Sequence, residues 1–321
     1  MALRNKNIAI LMKIESVEGT DSAPTASDGF WAVAGSAPEP IMEANLLDDV
    51  QRGSLTKLPP APDGPVHMKF TFKMPVRGAQ AAYSATVKPK ISVPNRICGL
   101  QETLVTTGAA ETVTYAPRSS GFESATTYVY LDGLLYKLLG CRGSRNIVTR
   151  AGGLMYYEYN IEGTYSAPTD VALVAPTGEP TGQFPIFVSS AFQMGTENYA
   201  APFQNININL NNTLAPQIDS TKADGIAQIH LVDRNPDGSF DPEAALVATF
   251  GYYTKWKAKT LIDMSFTLGS VQYNKVTFTM PSVTLNTITP GDRSGLATFT
   301  APFKVGSNSA AGDDEIIELW N

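Results

Sequence analysis

Cysteine and histidine are nearly absent from this sequence, with two of each in 321 residues, and tryptophan occurs three times. Two cysteines, Cys98 and Cys141, cannot build a disulfide framework, so two free thiols are expected. With the two histidines, His67 and His230, they are scattered too widely to give zinc-ligand spacing. Nucleophilic catalysis has little material either, because each histidine lies in or beside a strand-like run. The glycines of Gly140-Cys-Arg-Gly143-Ser-Arg lack the Lys-Ser/Thr of a phosphate loop. No run approaches the roughly eighteen uninterrupted apolar residues that a membrane helix needs. The amino-terminal apolar stretch is too short for a signal peptide, so a protein made and kept in a cytoplasm is expected. Positive charge is scarce where it would matter for nucleic acid: residues 1–175 carry 16 basic and 16 acidic side chains, residues 176–321 carry 8 and 14, and the net charge of −6 therefore sits in the second half. A surface built to grip DNA needs the opposite bias. Nothing demands an enzyme; no catalytic residue and no cofactor is assigned, and paired acids such as Asp48-Asp49 read as surface charge.

What is present is alternation. Met264-Ser-Phe-Thr-Leu268, Val276-Thr-Phe-Thr-Met280 and Gly295-Leu-Ala-Thr-Phe-Thr-Ala-Pro-Phe303 place apolar and hydroxyl side chains in turn, the pattern of half-buried strands. Met68-Lys-Phe-Thr-Phe-Lys-Met74, Ile206-Asn-Ile-Asn-Leu210, Ala227–Val232 and Ile316–Trp320 continue it. With 26 glycines and 22 prolines among short runs, the class is mainly β, of sandwich or barrel type. Short helices are expected before Cys98-Gly99, with Gly99 closing the first, and after Asp241-Pro242-Glu243, which has the form of a helix start.

The second half looks like a copy of the first. Gly153-Leu-Met-Tyr-Tyr157-Glu-Tyr159-Asn-Ile161 and Gly295-Leu-Ala-Thr-Phe299-Thr-Ala301-Pro-Phe303 both open Gly-Leu, share three alternate apolar positions and stand 142 residues apart. Tyr128-Val-Tyr130 answers Phe266-Thr-Leu268, and Ile206–Leu210 is taken as the counterpart of Met68–Met74. The segment 171–186, with three prolines and two glycines, is the natural boundary. The division is an amino-terminal arm and loops over 1–60, a first β module over 61–175 and a second over 176–321, each module with a short flanking helix. The arm is expected to be extended and to bury Phe30 and Trp31 against a neighbouring element.

One motif has metal-binding form. Asp233-Arg-Asn235-Pro-Asp237-Gly238-Ser-Phe-Asp241 matches the opening of an EF-hand loop, with Asp233, Asn235, Asp237 and Asp241 as weak candidate ligands. Ala244 stands where the bidentate carboxylate belongs, and Ile229–Val232 before it is strand-like, so an Asx-rich turn is the simpler reading.

Four segments together resemble the tail tube proteins of long-tailed (Caudoviricetes-type) bacteriophages: Ile14-Glu15-Ser16-Val-Glu-Gly19-Thr20-Asp21, Ser119-Ser-Gly121-Phe122-Glu123-Ser124, Gly163-Thr-Tyr165-Ser-Ala167-Pro168-Thr169-Asp170 and Gly312-Asp313-Asp314-Glu315. The likeness runs along nearly the whole chain. It implies a β module similar to the tube protein of the bacterial type VI secretion system. It also implies six-module rings that stack into a channel for phage DNA, and a place in the virion tail after assembly in the host cytoplasm. Its partners would be further copies of itself and the tail terminator, tape measure and distal tail proteins, with DNA passing the lumen without specific binding and no membrane involved. With two modules per chain, three chains complete a pseudo-six-fold ring. Second-half carboxylates are expected to face the lumen; the arm, the loops around 35–65 and the Gly312–Glu315 turn are expected between rings. The competing readings are a secretion-system tube or tail terminator protein, a carbohydrate- or receptor-binding β-sandwich using Tyr128, Tyr130, Tyr156, Tyr157, Tyr159, Tyr252, Tyr253 and Trp256 as a stacking platform, and a hydrolase built on Asp233.

Overall fold

Side chains of alternating polarity make strands that must bury one face, and the computed structural model, which describes residues 3–4, 6–35, 37–42, 53, 64–107 and 110–321, consists mainly of such strands. The first half contains β1 (Ile8–Ile14), β2 (Gly29–Phe30), β3 (Ala34–Gly35), β4 (Glu39–Met42) and β5 (Val66–Pro75). Helix α1 (Ser92–Ile97) follows, then β6 (Leu100–Val105), β7 (Thr112–Pro117), β8 (Ala125–Leu131), β9 (Leu134–Arg150), β10 (Tyr156–Thr164) and β11 (Thr169–Asp170). The second half begins with β12 (Gln193–Met194), β13 (Phe203–Asn209), β14 (Asn212–Ile218), β15 (Ile226–Arg234) and β16 (Asp237–Pro242). It ends with α2 (Tyr252–Ala258), β17 (Ile262–Leu268), β18 (Val276–Leu285), β19 (Thr289–Arg293), β20 (Leu296–Val305) and β21 (Ile317–Trp320). The chain is mainly β, as its alternation predicts.

The pairing pattern occurs twice. In the first half the strands lie in the order β1, β8, β9, β10, β5, all antiparallel. In the second the order is β12, β17, β18, β20, β16. Each set has its helix in the same place in the chain, α1 after β5 and α2 after β16. Registers agree as well: Glu162 lies opposite Arg142, and 142 residues further along both strands Lys304 lies opposite Thr284. By this pattern the counterpart of β5 is β16, not the Ile206–Leu210 run. Phe72 faces Tyr159 as Phe240 faces Ala301, whereas β13 occupies the outer edge of β16, where β3 and β4 occupy that of β5.

Among the described residues two strand ladders join the halves. β13 pairs along its other edge with the end of β9, from Asn205 opposite Arg150 to Asn209 opposite Asn146. The carboxy-terminal β21 lies between β18 and β7. Core side chains from both halves, including Phe72, Tyr159, Ile208, Phe266, Phe303 and Trp320, form one continuous buried cluster.

At the β21 junction the core holds charge. Arg145 and Glu318, both buried, form an ion pair. Asn95 Oδ1 accepts from Arg145 Nη1 at 2.8 Å and from the Tyr159 hydroxyl at 2.7 Å, and the Tyr157 hydroxyl donates to Glu318 Oε2 at 3.0 Å. Burial works against the Arg145 charge, but Glu318 together with Tyr157, Tyr159 and Cys98 outweighs it and holds the guanidinium pKa above its usual value.

Several expectations are corrected. Residues 8–14 are extended, and they belong to the sheet: β1 pairs with β8 along its whole length, because Ile8–Met12 is a short apolar run that both neighbours can cover. Phe30 is buried against Phe72, while Trp31 is half exposed. Asp241-Pro242-Glu243 starts no helix; β16 runs to Pro242 because β13 and β20 supply partners on both sides, and the helix begins ten residues later at Tyr252. Gly99, at φ +77°, does close the first helix, one residue beyond its C-cap Cys98. Asp48-Asp49 and most of the 35–65 loops lie outside the described residues.

Candidate functional surface

The sheet that runs β5, β10, β9, β13, β16, β20 crosses both halves, and the face opposite its core is polar. Alternation puts Thr71, Asn160 and Ser144 in one cross-strand row, since Thr71 is opposite Asn160 and Asn160 opposite Ser144. Another row runs Asn146, Asn209, Asp237, Lys304. Beyond the second row, level with Val148, lie Ser239 and Asn207, an opposed pair. Amides and hydroxyls dominate, and a shallow depression of about 360 Å³ opens among Thr71, Ser144, Asn146, Asn160 and Asn209.

Most charged side chains on this face come with partners, Lys69 and Arg150 having no ion pair among the described residues. Lys73 Nζ is 2.6 Å from Glu158, Lys304 Nζ is 3.1 Å from Asp237, Arg293 is 3.0 Å from Asp241, and His67 Nε2 is 3.7 Å from Glu162. The face therefore presents no field of a single sign. Opposite charges this close cancel beyond about one Debye length, roughly 8 Å at physiological salt.

The EF-hand-like residues are placed as follows. Asp233 caps its own neighbour, accepting from Arg234 N at 2.8 Å. Asn235 and Asp237 both receive Lys304 Nζ, at 3.3 and 3.1 Å. Asp241 accepts from the amides of Gln204 and Asn205 at 2.8 and 2.7 Å. Thus an internal ammonium sits between two of the four positions, and the fourth is committed to β13. Among the described residues no three or more His, Cys, Asp or Glu side chains converge as a metal site.

His230 joins Gln217 and Gln228 on the β14–β15 hairpin. Both cysteines are buried and free, and burial pushes each thiol up to about 12. Of the aromatics considered as a stacking platform, Tyr128, Tyr130, Tyr157, Tyr159 and Tyr252 are buried.

Three of the four segments that carry the family resemblance meet: 119–124 touches both 14–21 and 312–315. Glu15, buried at the end of β1, accepts four hydrogen bonds: Thr126 Oγ1 at 2.9 Å and Gly140 N at 2.8 Å on one oxygen, Gly19 N at 2.8 Å and Ser124 Oγ at 2.7 Å on the other. Asp313 accepts from Ser119 Oγ at 2.6 Å and pairs with Arg234 at 3.0 Å, and Arg234 also reaches Glu315 at 3.0 Å. Burial raises the Asp313 pKa, but Ser119 and Arg234 together hold it below the usual carboxylate range. Sequence reasoning missed Asn95, Arg145 and Glu318. The signal was there, since Glu318 falls between Ile316 and Trp320 on the inward face of a strand, where a charge needs a partner.

A family model described as phage tail tube protein matches residues 5–317 of the chain. No curated protein matches it.

Proposed function

Because the chain belongs to the phage tail tube protein family, we propose that three copies close a pseudo-six-fold ring and that stacked rings enclose the channel through which phage DNA leaves. The observation that carries the proposal is the repeated five-strand order with conserved register. One chain offers two equivalent modules, so a ring of six modules needs three chains. Residues 61–175 and 176–321 are the modules in this reading, with β1 contributed to the first from the amino-terminal region.

The polar sheet face is the lumen wall in this reading. DNA carries one negative charge per about 1.7 Å of duplex, and a basic wall would hold it through counterion release. A wall of amides, hydroxyls and paired charges lets it slide. Asp237 and Asp241 are the second-half carboxylates on that wall, and their Lys304 and Arg293 partners keep them from repelling DNA strongly. The natural partners are a tail terminator, a tape measure and a distal tail protein, with assembly in the host cytoplasm before incorporation into the virion tail.

Electron microscopy of the purified protein at high concentration, with averaging of ring views, tests this. Rings of three chains with six similar lobes are expected. Six chains per ring would overturn the stoichiometry, and a bore with a large net excess of lysine and arginine over carboxylates would overturn the lumen assignment.

A further inference from the structure

We propose that neighbouring copies in the ring dock β19 and its turn into β20 against the β3–β4 edge of the next copy, repeating between chains the joint that already holds the two halves of one chain together. This rests on the tube reading and names the surfaces that meet.

Inside the chain the joint is made by β13, which lies on β16 and pairs outward with residues 146–150 of β9. Both sides of that joint recur. β3 and β4 lie on β5 as β13 lies on β16, and among the described residues no strand pairs with their outer edge. The 142-residue offset carries residues 156–158 of β10 onto 298–300 of β20, whose partners are 291 to 289, so that residues 146–150 of β9 correspond to β19 with one extra residue inserted before it; among the described residues β19 pairs with β20 alone. One half of the joint thus stands open on each module.

Apolar side chains agree with the register. In the first module Leu154, after Gly153, is half-buried and bridged to Ile186 of the second half. Its repeat, Leu296 after Gly295, is 56% exposed. On the opposing edge Trp31, Val33 and Met42 are 52%, 59% and 50% exposed. Leu296 lacks the cover that Leu154 receives within the chain, and the apolar patch on the β3–β4 edge of a second copy supplies it.

The joint between copies is the weaker one. Pro40 on β4 and Pro290 on β19 each remove a backbone donor from the facing strands. Such prolines also keep free edges of single chains from pairing indiscriminately. Nor does the outer joint have the second link that β21 makes to β7 inside the chain.

Disulfide trapping in assembled tubes tests the docking. Ala37→Cys is combined in turn with Thr289→Cys, Pro290→Cys, Gly291→Cys and Asp292→Cys; the native thiols are buried and do not compete. Oxidation of tubes should give covalent multimers for at least one pairing, with every single variant remaining monomeric on a non-reducing gel. In the unmodified protein, assembly should slow amide exchange at Gly35–Met42 and at Thr289–Leu296. Normal tubes with no cross-link in any pairing and unchanged exchange at both segments would overturn the docking while leaving the tube intact. A wild-type protein that never forms rings, even with tail initiation components, would overturn the tube reading and the docking with it.

Discussion

A carboxylate cut off from water needs its oxygens filled by donors, and Glu15 receives two on each. Glutamine in its place turns one acceptor into an amide that faces two donors, so Glu15→Gln should cost about 1–3 kcal/mol in urea unfolding. The Arg145–Glu318 pair is starker, because neither side chain reaches solvent. Glu318→Ala strands a buried guanidinium and should cost about 3–5 kcal/mol, while Arg145→Met combined with Glu318→Leu should recover much of the loss. A double variant no more stable than Glu318→Ala would contradict this account. Glu102 sets a pH limit. Burial raises its pKa, but hydrogen bonds from Lys88, Ser92 and Tyr115 prevail and leave it below the ordinary 4.5. A carboxyl depressed by folding contributes stability that is complete above its unfolded pKa and lost as pH falls through the folded one. Melting temperature should therefore drop below about pH 4.5, and Glu102→Gln should flatten that part of the profile while lowering Tm at neutral pH.

Strands here owe their stability to neighbours from distant parts of the chain, and β21 shows it best. Four residues hold β18 to β7 and so one half to the other. Trp320 is buried at the end of this strand, and Trp320→Ala should cost about 3–5 kcal/mol through the cavity left behind. If β21 is the clasp, amide exchange in β7 and β18 should rise together in that variant; a rise in β18 alone would make the strand an appendage of the second half. The β14–β15 hairpin is anchored differently, by Asn212 Nδ2 donating to Cys98 O and Gly143 O at 2.7 and 2.9 Å and by Arg142 donating to Ile229 O.

Across the whole molecule, the polar face is where charge would alter function without altering the fold. Asn160→Lys with Asn207→Lys adds two unpaired cations to exposed or half-buried positions. Tubes should still assemble, but they should retain duplex DNA in a gel shift that weakens steeply with salt, whereas wild-type tubes should not. Equal DNA retention by both would mean that this face does not line the channel.

The sequence by itself determined the strands whose side chains alternate strictly, the absence of a disulfide framework, and the two-fold recurrence visible in Gly153-Leu154 and Gly295-Leu296. These follow from local periodicity, which any neighbour of the right polarity satisfies. The Glu15, Ser119 and Asp313 segments were legible as a family pattern, but not as hydrogen-bonding partners, because their contacts span more than a hundred residues. Only the tertiary structure decided that β1 is a fully paired strand, that Asp241 belongs to a ladder and not a helix cap, and that β16 is the counterpart of β5. In each case the free energy of pairing two strand edges and burying a shared face exceeds the local preference of a few residues. The buried Arg145–Glu318 pair is of the same kind: each charge is tolerable only because the fold brings the other to it.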